Sequence, residues 1–135
     1  MNFISGINAT ASALDAEKVR MDVVAENIAN AYTTRGLDGK AYQRKTVAFE
    51  SLLNSESGKA GGVRISEIGQ DSTPGETIYN PTHPHANKDG MVEMPNVSVS
   101  TEMVDLLAAS RAYEANLAVV RNARQMATKA LAIGH

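Results

Sequence analysis

The residues with most chemical potential in this chain are His83, His85 and Asp89. A His-x-His spacing on extended backbone can present two imidazoles to one metal ion. Pro84 stands between them and no clear third ligand accompanies them, so a proline-stiffened loop explains the stretch more simply. The absence of cysteine excludes disulfides, thiolate metal sites and a thiol nucleophile. No serine sits in a nucleophile elbow, and Gly58-Lys59-Ala60-Gly61-Gly62 lacks the spacing of a phosphate-binding loop. Asn8-Ala9-Thr10 and Asn96-Val97-Ser98 have the form of glycosylation acceptors, a form short enough to arise by chance. The expectation is a chain with no catalytic residue, no metal and no cofactor. A small hydrolase or metal protein built on His83, His85 and Asp89 is the enzymatic rival.

Among the other polar residues, Asn27, Asn30 and Arg111 have two explanations each. Asn27 and Asn30 either satisfy backbone groups where a helix ends or act as polar contacts that fix the register of packed helices. Arg111 is either solvated or paired with a carboxylate of another subunit. Tyr113 falls on an apolar seam, where plain packing would leave its hydroxyl at the edge.

The elements that must position these side chains follow from composition. All four prolines and eight of the ten glycines lie in the middle of the chain, and the ends are alanine-rich. Glycine and proline break helices whereas alanine favours them, so the pattern predicts helix, turn-rich β region, helix. The boundaries fall at 1–32, 33–98 and 99–135. Tyr42 to Phe49, Val63 to Ile68, Thr77 to Tyr79 and Met91 to Val92 read as short strands. Asp38-Gly39, Gly61-Gly62, Pro74-Gly75 and Asp89-Gly90 read as the turns between them.

Both ends carry a helical stripe. Ile4, Ile7, Ala11, Leu14, Lys18, Met21, Ala25 and Ile28 alternate steps of three and four. Val99, Met103, Leu106, Ser110, Tyr113, Leu117, Val120, Arg124, Ala127 and Leu131 repeat the device. Ser98, Ser100 and Thr101 offer cap hydroxyls, and Glu102 and Asp105 near the start with Arg121, Arg124 and Lys129 near the end complement the helix dipole. The fold class is mainly α with a small β region, the long terminal helices packing as an antiparallel coiled-coil-like pair.

Each large apolar side chain hidden from water is worth roughly 1.5–3 kcal/mol. Pairing the two helices hides one face of each, and the small middle offers little surface for the rest. An ordinary intramolecular pair beneath a small sheet satisfies the period. Burial completed by neighbouring chains satisfies it too, with helical ends that order fully only on assembly. A net charge of −2 argues against a nucleic-acid partner, and no apolar run approaches the length of a membrane span. Residues 1–17 lack the basic start of a standard cleavable signal peptide.

Four stretches carry a family likeness. Met21-Asp22-Val23-Val24-Ala25-Glu26-Asn27-Ile28-Ala29-Asn30-Ala31-Tyr32-Thr33-Thr34 resembles the N-(I/L)-A-N-x-x-T signature of the flagellar rod and hook axial proteins. Tyr79-Asn80-Pro81-Thr82-His83-Pro84-His85-Ala86-Asn87-Lys88-Asp89-Gly90 resembles a stretch of the proximal-rod branch, which Met94-Pro95-Asn96-Val97 and Glu102-Met103-Val104 continue. Ala109-Ser110-Arg111-Ala112-Tyr113-Glu114-Ala115-Asn116 resembles the family's shared second-helix motif. The resemblance implies a structural subunit of the flagellar basal-body proximal rod, the drive shaft across the periplasm. It implies export by the flagellar type III apparatus and stacking into a helical tube with copies of itself and neighbouring rod proteins. Stripe and motif together nominate the assembly contacts: Ile4, Ile7, Leu14, Met21, Asn27, Ile28 and Asn30 on the first helix. On the second they nominate Met103, Leu106, Tyr113, Asn116, Leu117, Val120 and Leu131. The non-enzymatic rivals are another axial protein of the same class and a soluble coiled-coil scaffold or export adaptor.

Overall fold

The computed structural model describes residues 3–53 and 60–134. Gly58 and Lys59 of the glycine-rich stretch lie outside the described residues. The element order is α1 (Phe3–Ala29), β1 (Lys45–Leu53), β2 (Ala60–Gln70), β3 (Thr77–Tyr79), β4 (Met91–Glu93) and α2 (Val99–Ile133). With 27 and 35 residues, the two helices are about 40 and 52 Å long.

The helices pack against each other and run antiparallel. The start of α1 at Phe3 meets Met126, Ala127 and Leu131 near the end of α2, while Asn27 meets Glu102 at the opposite end. The strands form two separate antiparallel hairpins, β1 with β2 and β3 with β4. The β1–β2 hairpin folds back along α1, so that Lys45 lies beside Asn27 and Val63 beside Ser12.

One turn assignment and one strand boundary need correcting. Gly61-Gly62 is not a turn but lies inside β2. Its role is close approach: Gly62 has φ +135°, and a Cβ there would meet Ser12 Oγ at 2.5 Å, so only glycine lets the hairpin lie this close to α1. The first strand starts at Lys45 rather than Tyr42, because the Tyr42 N–H is spent on the Thr33 carbonyl. Asp38-Gly39 and Asp89-Gly90 do turn, with φ +78° and +76° at the glycines.

The start of α2 also departs from expectation. Ser98 holds the N-cap position, yet its hydroxyl makes no cap bond and interacts with Ser100 and Thr101 instead. Glu102 does not serve as a solvated partner for the dipole; it is wholly buried. Gly134 closes the helix as expected, donating its N–H to the Ala130 carbonyl.

The contact stripes are shifted from those the large apolar residues suggest. The fully buried residues of α1 are Ala16, Val23, Val24 and Asn27, and those of α2 are Glu102 and Ala109. On α2 the covered row runs Glu102, Leu106, Ala109, Tyr113, Asn116, Val120, Ala123 and Ala127, still alternating four and three. It keeps Leu106, Tyr113, Val120 and Ala127 of the expected seam and takes Glu102, Ala109, Asn116 and Ala123 in place of Met103, Ser110, Leu117 and Arg124, each one position earlier. Ala109, Ala123 and Ala127 alternate with larger residues on this row, while Met103 and Leu131 are exposed.

Candidate functional site

A polar latch joins both helices to the β region, and it starts from Asn27. This residue is 1% exposed, so each of its polar atoms needs a partner. Its Oδ1 accepts from the Tyr42 hydroxyl at 2.8 Å and the Lys45 N–H at 2.9 Å. Its Nδ2 donates to the Lys45 carbonyl at 2.9 Å and to Glu102 Oε2 at 3.2 Å. One amide therefore reads both backbone groups of Lys45, as a neighbouring strand would, and reaches across to α2.

Glu102 is 0% exposed, and a carboxylate so placed requires a cation and hydrogen bonds. Arg44 Nε supplies both at Glu102 Oε1. The hydrogen bond to Glu102 raises the Arg44 pKa above its ordinary value, and the charges of Glu102, Asp105 and Asp71 add to this against the cost of burial. The guanidinium also reaches Asp105 Oδ2 at 3.6 Å. The Arg44 backbone is held in turn: its N–H donates to Asn96 Oδ1 at 2.7 Å, and its carbonyl accepts from the Asp71 N–H at 2.8 Å. Asn96 Nδ2 completes the network on the Asp71 and Thr73 carbonyls, both at 2.9 Å. The Asn96 amide thus has a structural use, which leaves it committed within the fold.

Burial, followed by the Glu26 and Glu102 carboxylates, pushes the Tyr42 phenol up to about 12. It is therefore a hydrogen-bond donor at neutral pH, with no tendency to act as a base or nucleophile. Lys45 Nζ pairs with Glu26 Oε1 at 2.6 Å on the surface of the same cluster. The arrangement fixes geometry, and every buried polar atom of Asn27 and Glu102 in it is engaged by a protein group.

The structure separates the two asparagines. Asn27 makes long-range contacts, whereas Asn30 acts locally: Nδ2 donates to the Glu26 carbonyl and Oδ1 accepts from Thr33 Oγ1. Arg111 is exposed with no ion-pair partner among the described residues, and Tyr113 is half-buried on the covered row. Of the remaining nominated contacts, Ile4, Met103 and Leu131 are 70, 57 and 71% exposed. Ile7, Leu14, Met21, Ile28, Leu106, Asn116, Leu117 and Val120 are half-buried.

His83 and His85 pack edge to face with centroids 5.3 Å apart. His85 Nδ1 bonds Thr34 Oγ1 at 2.7 Å, and the His85 N–H donates to His83 Nδ1. Partial burial, then Arg35 and His83, lower the His85 pKa, so this imidazole is neutral near pH 7. The Asp89 N–H bonds Asn87 within the turn. No three metal-ligating side chains come together among the described residues.

Arg44, Tyr42 and Glu102 were not singled out as a site by the sequence. The available signal was Glu102 itself, seven residues before Ala109 and fourteen before Asn116, hence on one face of a heptad. Its partners lie 58 and 75 residues away, beyond the reach of local pattern.

A long antiparallel helix pair tied to a small β region by a polar latch has the architecture of a structural subunit. The comparisons place the chain in that class. Residues 7–35 match the family described as flagella basal body rod protein, and residues 88–133 match the flagellar basal body rod FlgEFG protein C-terminal family. The flagellar basal-body rod protein FlgC of Bacillus subtilis (strain 168) is 44% identical, with 99% of each chain covered. That of Borreliella burgdorferi is 38% identical with 98% of each covered, and that of Escherichia coli O6:H1 is 40% identical with 91% of each covered. The chain belongs to the FlgC family of flagellar basal-body rod proteins. It is a structural subunit of the rod and resides in the flagellar basal body.

Proposed function

We propose that the chain builds the proximal rod by packing its terminal helices, residues 1–32 and 99–135, into the wall of a helical tube. The middle, residues 33–98, sits outside that wall and locks its pitch. The observation that carries this is the shifted stripe. Small residues such as Ala16 and Ala109 close the intramolecular pair, while Ile4, Met103 and Leu131 remain exposed. With Phe3 beside Ile4 and Val104 and Leu107 beside Met103 also exposed, this apolar surface is clustered rather than scattered, and clustered exposed apolar surface marks an interaction site. Heterologous contacts between identical chains generate open helical assemblies, and many desolvated seams around a tube resist shear and so transmit torque.

In this role the chain is not an enzyme. Its partners are copies of itself, neighbouring rod proteins and, before assembly, the flagellar type III export apparatus. The nominated stripe residues are the contacts, with Asn27 acting from inside by fixing the shape the contacts present. No described helix is long and apolar enough to cross a membrane. The test is Met103→Asp or Leu131→Asp, each placing a charge where the isolated chain tolerates it. Unchanged helicity with loss of the chain from isolated basal bodies and loss of motility is expected. Normal motility in both variants would overturn the proposal.

A further inference from the structure

Charge is distributed unevenly along the helix pair. Residues 1–14 carry no charged side chain, and residues 115–135 carry Arg121, Arg124 and Lys129 with no carboxylate side chain. The end of the pair farthest from the latch is therefore a cationic tip. All fifteen Asp and Glu lie in residues 15–114, with the other ten of the thirteen Lys and Arg. The tip is also apolar and open: Phe3, Met126, Ala130 and Leu131 line a groove of about 560 Å³.

The outer face of α1 has the matching character. Asp15 and Asp22 are exposed on the side turned away from the covered residues Ala16, Val23 and Asn27. Along that edge run Ala11, Leu14, Met21 and Ala25, small or apolar and half-buried or exposed, with Lys18 as the one cation among them. Among the described residues, neither Asp15 and Asp22 nor Arg121, Arg124 and Lys129 has an ion-pair partner. The spacings agree as well. Asp15 and Asp22 are seven residues apart, and Arg121 and Lys129 eight, or about 10.5 and 12 Å along their helices.

We infer that the cationic tip of one copy docks on the acidic outer face of α1 in a second copy, with Arg121, Arg124 and Lys129 facing Asp15 and Asp22. This deepens the assembly role proposed above and rests on it. The two surfaces lie at different heights on the helix pair, so the contact is staggered and heterologous. Repetition then extends the assembly along one direction. The charge pattern favours one register, because sliding towards residues 1–14 moves the three cations onto a segment with no charge.

The test reverses each side in the full chain: Arg121→Glu with Arg124→Glu, Asp15→Lys with Asp22→Lys, and all four together. Each variant is supplied as the only copy in flagellated cells, circular dichroism of the purified chain checks folding, and the chain is quantified in isolated basal bodies. Each reversed pair is expected to lower incorporation roughly tenfold, and the fourfold variant to recover most of it. Normal incorporation of both reversed pairs overturns the inference, as does a fourfold variant no better than either pair. If Met103→Asp blocks incorporation in the same assay while the reversals do not, the assembly role stands and this inference alone falls. Binding to vesicles of anionic lipid that Arg121→Glu with Arg124→Glu abolishes, at unchanged incorporation, would assign the tip to a membrane and overturn it too.

Discussion

The two ends of the helix pair are held in opposite ways. At the latch end, Asn27, Arg44 and Glu102 are joined by directional bonds to segments from four parts of the chain, and Val23 and Val24 are buried beside them. At the far end the contact is apolar and loose. Phe3 faces a groove of about 560 Å³, and a second groove of about 330 Å³ lies between Ile7, Val119 and Ala123. Every fully buried residue of α1 is at or beyond Ala16, and those of α2 are at or before Ala109. Polar bonds with fixed geometry define one conformation within the chain, whereas open apolar surface accepts whatever covers it. The difference teaches that a subunit can fix its shape at one end and leave cohesion at the other to its neighbours.

The contrast is broken most directly at Arg44. Arg44→Leu leaves the Glu102 carboxylate buried without its cation, and about 3–5 kcal/mol of stability should be lost in urea denaturation. Phe3→Ala at the far end should cost well under about 1 kcal/mol in the isolated chain. Similar costs for the two would abolish the distinction. Asn27→Ala comes next. It orphans the Tyr42 hydroxyl and both Lys45 backbone groups, for an expected loss of about 2–3 kcal/mol by the same measurement.

Gly62→Ala should cost about 1–3 kcal/mol, because φ +135° disfavours any side chain and the new Cβ meets Ser12 Oγ. Adding Ser12→Ala should recover only part of this, since it relieves the contact but not the dihedral. Full recovery would show that the backbone conformation there is unimportant.

What the sequence made legible follows from the range of each interaction. Helix positions, strand order and the Asp38-Gly39 and Asp89-Gly90 turns are local, and period and turn chemistry sufficed for them. Asn27 was visible because the family motif marks it. The intramolecular stripe is hard to read from the sequence because alanine adds little apolar weight to a periodic pattern. Ala16 and Ala109 win the interior by permitting close approach, and Met103 and Leu131 are displaced to the surface. Glu102 has the local pattern of an ordinary first-turn acid, because Arg44 lies 58 residues away in sequence. Gly62 looked like a turn because glycine marks turns and close approaches alike.

The smallest expected effect is alkaline. Tyr42 is pushed up to about 12 from a usual 10, so the folded chain favours the protonated phenol. Its contribution is complete below pH 10 and is lost as pH rises from 10 towards 12. Tyr42→Phe should be slightly less stable at pH 8 and should lack this alkaline loss when thermal midpoints are compared across that window. An unaltered alkaline profile in Tyr42→Phe would remove the phenol from the latch.

Amide hydrogen exchange on the isolated, dilute chain compares the two ends in one measurement. Slow exchange is predicted for residues 16–29 and 99–113, around the latch, with fast exchange for residues 3–14 and 117–133. Protection equally strong along the whole length of both helices would contradict the account, because a single copy would then hold its far end closed without neighbours.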